Sequence, residues 1–237
     1  ATYTPFVLPV LVLRHDADAG PGYLGDALAA AGLEMRVVEP EAGEPFPGVD
    51  GWSALVSLGG RMGAYEVEAY PWLAAEKRLL AGAVAAGLPT LGICLGCQVL
   101  ADALGGRAYL GTGREVGLVS LELTTAGMAD PVVRHLDAPV AVSHGDTWDL
   151  PPGGTLLAQS TRYRHAFRLG SALGLQPHPE VGPEPFARWT RSKPLSELAR
   201  DGIDPDAAIA AVRAGAEAQR AMAARLFGAW ADEVKAR

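Results

Sequence analysis

The sequence predicts an α/β protein, a three-layer sandwich with a mostly parallel central sheet, and three observations carry that prediction. Short apolar runs bounded by turn residues recur through the first hundred residues. Alanine- and leucine-rich stretches with helical spacing lie between them. A chain of 237 residues that is 49% hydrophobic can bury the core that such an arrangement needs. Strands that alternate with helices pair in parallel and are covered on both faces, so they read as continuous apolar runs rather than alternating ones. In order, the expected strands are Phe6 to Leu13, Met35 to Val38, Ala54 to Leu58 and Leu88 to Ile93. The expected helices are Gly22 to Ala31, Tyr70 to Ala86 and Leu95 to Leu104. Residues 40 to 51, rich in Pro and Gly, read as a surface loop.

From Gly105 the character changes. Shorter apolar pieces separated by Gly, Thr and Pro predict an antiparallel elaboration of the sheet. Its strands are expected at Val116 to Leu123, Pro139 to Ser143, Thr155 to Gln159, Ala166 to Leu169 and Ala172 to Gln176. Helical patterning resumes at Pro183, and Ala207 to Val234 suits one long amphipathic helix or two shorter ones, with Gly215 and Gly228 arguing against a single one. With no repeat or linker, residues 1 to 237 read as a single domain with a C-terminal helical extension over about 183 to 237. A net charge of −7 argues against nucleic-acid binding, which needs clustered basic surface. The absence of a long apolar run or signal-peptide pattern argues against a membrane span, so a soluble cytoplasmic protein is expected.

The chemistry concentrates at Gly92-Ile93-Cys94-Leu95-Gly96-Cys97-Gln98. A cysteine between two glycines, where an apolar strand runs into a helix, has the pattern of a nucleophile elbow, with sulfur as the attacking atom. Unpaired amides and the helix dipole at that position favour a thiolate. Cys94 and Cys97 also form C-x-x-C, which leaves a redox pair, a metal ligand or a buried structural thiol as other readings. A thiol nucleophile needs a base and the base an orienting partner. His178 in Gln176-Pro177-His178-Pro179-Glu180 follows an apolar strand, and Glu180 stands two residues on, so a Cys94-His178-Glu180 triad is expected.

With both segments in this order, the chain resembles the class I (triad) glutamine amidotransferase family. Glu115-Val116-Gly117-Leu118, Ser143-His144-Gly145-Asp146-Thr147 and Leu150-Pro151 bring it nearest the amidotransferase domain of GMP synthase and its free-standing relatives. The resemblance implies that family's flavodoxin-like sandwich, no cofactor and no metal. It implies attack by Cys94 on the side-chain amide of glutamine through a thioester, with His178 as base and acid and Glu180 orienting it. An oxyanion hole would come from the amides of Gly60 and Leu95, and the glutamine head group would rest on Gln98, Ser143, His144 and Gly145. Three departures stand out: Pro177 where an aromatic residue is common, Cys97 where His or Met is frequent, and Arg61 where a proline is frequent.

Three functions follow. The first is a glutaminase that supplies ammonia to a separate synthetase or other acceptor enzyme. The second is a stand-alone hydrolase of γ-glutamyl peptides or γ-glutamylamines. The third is a non-catalytic regulatory protein on the same fold. Cys97 is expected to pack in the first turn of its helix, with trapping of an oxidised Cys94 as a further role. Asp146 is expected to steady its loop. His15, His135 and His165 are expected at the surface, and Arg162 to Arg164 in a solvated turn.

Overall fold

The computed structural model describes residues 8–237. An eight-stranded sheet forms its centre, in the order β2-β1-β3-β4-β10-β9-β8-β6. The parallel strands are β1 (Val10–Leu13), β2 (Met35–Val38), β3 (Ala54–Ser57), β4 (Thr90–Ile93) and β10 (Ala172–Leu175). Residues 6 and 7 of the first expected strand lie outside the described residues. Side chains alternate between faces along a strand, and the buried residues sort accordingly. Val10, Val12 and Val56 enter one core with Leu24 and Leu28 of α1 (Gly22–Ala30) and with Met222, Leu226 and Trp230 of α8 (Ala216–Lys235). Leu11, Leu13 and Leu55 enter the other with α2 (Trp72–Ala85) and α3 (Leu95–Ala103). The result is the three-layer α/β sandwich expected from the sequence.

The antiparallel half divides into two parts. Strands β9 (Arg164–Leu169), β8 (Thr155–Gln159) and β6 (Glu122–Leu123) extend the main sheet beyond β10, whereas β5 (Arg107–Val119) and β7 (Val140–Asp149) form a separate two-stranded ribbon. The ribbon strands are longer than the expected pieces: β5 is mostly half-buried or exposed, and β7 continues past its apolar start through His144, Gly145 and Asp146. Polar and glycine positions such as Gly111, Gly113 and Arg114 interrupt the apolar pattern without ending the backbone pairing, and the register shifts between Leu110 and Glu115.

After the short α4 (Thr125–Ala129), the C-terminal segment makes α5 (Pro183–Ser192), α6 (Leu195–Arg200) and α7 (Pro205–Ala214), and Gly215 separates α7 from α8. Phe186 of α5 packs with Ile209 and Val212 of α7 against Ala141 of the ribbon. Its last helix packs Met222, Phe227 and Trp230 into the first of the two cores, and its first helix packs on the ribbon.

Candidate active site

Strands β4 and β10 are parallel neighbours with Ile93 beside Leu175, so the residues that follow each strand emerge at one level of the same sheet edge. Cys94 follows β4, and Gln176-Pro177-His178 follows β10. That adjacency brings together two segments more than eighty residues apart. Cys94 has φ 52° and ψ −107°, the one positive φ at a non-glycine among the described residues. This conformation costs about 1–3 kcal/mol and persists only where its surroundings enforce it. Here its amide donates to the Leu175 carbonyl at 2.8 Å, and its carbonyl accepts from the Gln98 amide at 3.1 Å. The flanking glycines are sterically required. A Cβ on Gly96 would stand 2.0 Å from the Ser57 carbonyl oxygen, and one on Gly92 would stand 2.4 Å from that of Gly96.

His178 is buried, and its Nδ1 donates to Glu180 Oε1 at 2.6 Å. Burial opposes a charge on this imidazole, but the Glu180 carboxylate and the Cys94 thiolate outweigh it and push the pKa up to about 10. The backbone of the loop is fixed as well: the His178 amide donates to Ala141, and Gln219 of α8 donates to Val181 at 2.7 Å while accepting from the Ala141 amide. The two prolines around His178 are thus accommodated with trans peptides. Trp189 of α5 lies with its ring centroid 4.9 Å from that of His178, and its Nε1 donates to the Asp18 carbonyl.

The loop Leu58-Gly59-Gly60 passes beside both groups. A Cβ on Gly59 would meet His178 Cε1 at 3.0 Å and Cys94 Cβ at 3.7 Å. The Leu58 carbonyl accepts from the Gly96 amide at 3.1 Å and from His15 Nδ1 at 3.0 Å. His15, expected at the surface, is 1% exposed: its Nε2 donates to Glu76 Oε2 at 2.9 Å, and its ring stacks on Trp72. Burial opposes its charge, yet Glu76 and the Leu58 carbonyl raise its pKa, because both ring nitrogens face acceptors. Ser57 Oγ also donates to Glu76. Both side chains of this pair are fully buried, so a one-sided deletion leaves an uncompensated charge. Glu76→Ala is expected to lower stability by about 3–5 kcal/mol in denaturant unfolding, whereas an exposed pair such as Arg225–Asp137 is expected to be nearly neutral on truncation.

The remaining predicted residues lie on the opposite side of Cys94. Gln98, buried in the first turns of α3, donates to Gln176 Oε1 at 3.2 Å and to the Asp146 carbonyl at 3.4 Å. Ser143, His144 and Gly145 on β7 share a cavity with Gln98, Cys94 and Gly60. Leu95, whose amide opens α3 directly after Cys94, has its side chain against Gly60. Sequence reasoning missed Asp16, Trp189 and Lys193 at the cavity walls, and Gln219 beneath the His178 loop. Of these only Asp16, just beyond a strand end, had a positional signal.

Behind His144 sits a second buried cluster. Glu115 Oε2 accepts from His165 Nε2 at 2.9 Å and lies 3.3 Å from His144 Nε2, and Oε1 accepts from Ser160. Among the described residues these three are the one His, Cys, Asp and Glu grouping with metal-ligand spacing, but Glu115 and His165 already partner each other. His165, also expected at the surface, is 0% exposed, and burial lowers its pKa. Tyr163 is likewise buried, its hydroxyl donating to the Gly113 carbonyl at 2.6 Å rather than facing solvent. Around Glu115, burial is outweighed by hydrogen bonds from His144, His165 and Ser160, which hold the carboxyl well below its usual range. A depressed folded-state pKa contributes stability that is full above about pH 4.5 and is lost as the pH falls below it. Glu115→Gln is therefore expected to flatten the decline of melting temperature between about pH 5 and pH 3.

Cys97 packs in the α2–α3 core, where burial and then the charge of Cys94 push its thiol well above the ordinary range. Both cysteines are free thiols.

A sharp strand-to-helix turn bearing a thiol, beside a buried His–Glu pair that follows the neighbouring parallel strand, is an arrangement able to carry out acyl transfer. Residues 53–193 match the family model described as glutamine amidotransferase class-I, and the chain belongs to that family. It is 40% identical over 148 residues to the GMP synthase [glutamine-hydrolyzing] of Thermomicrobium roseum, covering 57% of this chain and 26% of that protein. It is 34% identical over 125 residues to the glutamine amidotransferase-like protein YfeJ of Salmonella typhimurium, covering 50% and 52%. The chain thus matches about a quarter of the first relative and about half of the second. Among solved structures, a glutamine amidotransferase of Thermotoga maritima superposes with a TM-score of 0.84 at 31% identity, over 96% of this chain and 99% of that one. Among the described residues no helix is long and apolar enough to cross a membrane.

Proposed function

We propose that the protein is a glutaminase that passes ammonia to a separate acceptor enzyme. The observation that carries this reading is the Cys94 turn, held at positive φ and faced by the His178–Glu180 pair. Glutamine binds with its head group against Gln98, Ser143, His144 and Gly145, which share one cavity with Cys94. The Cys94 thiolate adds to the side-chain carbonyl, and the amides of Gly60 and Leu95 hold the oxygen as it gains charge. The tetrahedral species expels nitrogen, which takes its proton from the His178 imidazolium and leaves as ammonia. Water, deprotonated by His178, then cleaves the thioester to glutamate and restores the thiol. Glu180 keeps Nδ1 protonated so that Nε2 faces the sulfur. The relatives named GMP synthase [glutamine-hydrolyzing] support transfer of the ammonia to a synthetase.

Glutamine incubated with the purified protein is expected to give glutamate and ammonia in equal amounts. Adding the acceptor enzyme with its co-substrates is expected to divert that ammonia into product, while glutamate still forms. Glutamate formation absent under both conditions contradicts the reading.

A further inference from the structure

Two cavities meet at Cys94. One, of about 230 Å³, holds Gln98, His144 and Gly145 and excludes His178. The other, of about 120 Å³, lies on the His178 side and adds Asp16, Trp189 and Ser192. Acyl transfer divides its substrate in the same way: the acyl half stays on one side of the sulfur, and the leaving nitrogen lies where the imidazole can protonate it. Ammonia is about the size of a water molecule, which by the same measure of cavity volume needs only about 10–15 Å³. The His178-side cavity is several-fold larger, so it has space for the remainder of a substituted amide.

Its charge narrows the occupant. Lys193, between α5 and α6, lines both cavities. Among the described residues it forms no ion pair, because the acids that follow it, Glu197 and Asp201, are held by Arg114. Arg61 shares both walls but is engaged by Glu41 and, at 3.5 Å, by Asp16. Burial lowers the pKa of the Lys193 amine, and the charges of Cys94 and Glu197 oppose that shift. Trp189 closes the cavity with an apolar wall.

Resting on amide cleavage by Cys94, we propose that this cavity is a leaving-group subsite with Lys193 as its carboxylate anchor, and that the enzyme cleaves γ-glutamyl amino acids as well as glutamine. The thiolate forms the S–C bond, the C–N bond to the second amino acid breaks, and His178 delivers its proton to that nitrogen. The free amino acid departs with its carboxylate released from Lys193. Water then converts the thioester to glutamate. A leaving group without a carboxylate, such as a simple alkylamine, forgoes the Lys193 contact.

The test compares γ-glutamylglycine with γ-glutamylpropylamide, which has similar size and no second carboxylate, for the wild type and for Lys193→Met and Lys193→Arg. The wild type is expected to favour γ-glutamylglycine in kcat/KM by about tenfold or more, the scale of one charge-assisted hydrogen bond. Lys193→Met is expected to bring that ratio close to one, mainly through KM, and Lys193→Arg to restore most of it. An equal loss on both substrates in Lys193→Met would place the lysine on the glutamyl half and overturn the proposal. So would a wild type that cleaves glutamine but shows no preference for γ-glutamylglycine. Failure on all three substrates, with no acyl adduct on Cys94, would instead overturn the amide-cleaving reading beneath it.

Discussion

Replacing Cys94 with alanine is expected to reduce glutamine hydrolysis by about ten-thousandfold or more while leaving the fold intact. The size follows from the role: removing the nucleophile of a covalent mechanism leaves only binding and oxyanion stabilisation. The fold should survive because the turn is held by groups other than the sulfur. The Cys94 amide and carbonyl keep their bonds to Leu175 and Gln98, and the glycine contacts at 92 and 96 are unchanged. Alanine retains the strain of the positive φ, so no large stabilisation is expected either. Steady-state glutamate formation and a thermal melt measured on the same preparation check both halves. A melting temperature that falls as steeply as activity contradicts the assignment of the loss to chemistry.

Glu180→Gln is expected to lower turnover by about 10³- to 10⁴-fold, the scale seen when the orienting carboxylate of a triad becomes an amide. The 2.6 Å bond from His178 Nδ1 fixes the tautomer in the native site; an amide can present its NH₂ there instead and favour the unreactive one. The substitution also leaves burial of His178 less opposed, so the imidazole pKa should fall from about 10. A raised folded-state pKa contributes stability that is full below the unfolded value of about 6.5 and lost as pH rises through the folded value. The wild type should therefore lose stability between about pH 6.5 and pH 10, and Glu180→Gln should lose less over that window. Melting curves across the range, with turnover at fixed pH, test both consequences.

The elements that carry the expected chemistry were legible because their signals are local. Gly92 and Gly96 bracket Cys94 for steric reasons that any strand-to-helix turn of this kind imposes, and an apolar run leads directly into His178. The parallel core was legible too, since doubly covered strands are apolar throughout: Val10–Leu13, Ala54–Ser57 and Thr90–Ile93 are buried at every position. What escaped was long-range pairing. His15 is buried because Glu76 meets it from α2, and His165 because Glu115 meets it from β5. Neither histidine has a nearby residue in sequence that announces its partner. Lys193 escaped for the same reason, since only the packing of α5 on the ribbon brings it to Cys94. The ribbon strands were read short because their polar and glycine positions pair without an apolar pattern.

Intact-mass and peptide mapping after treatment with a glutamine-like electrophile test the central claim most directly. One equivalent of label, placed on Cys94 and not on Cys97 by fragmentation of the peptide that holds both, and protection by excess glutamine are the predicted result. Labelling that persists in Cys94→Ala, or a Cys94 that stays unmodified while the protein still hydrolyses glutamine, would contradict it.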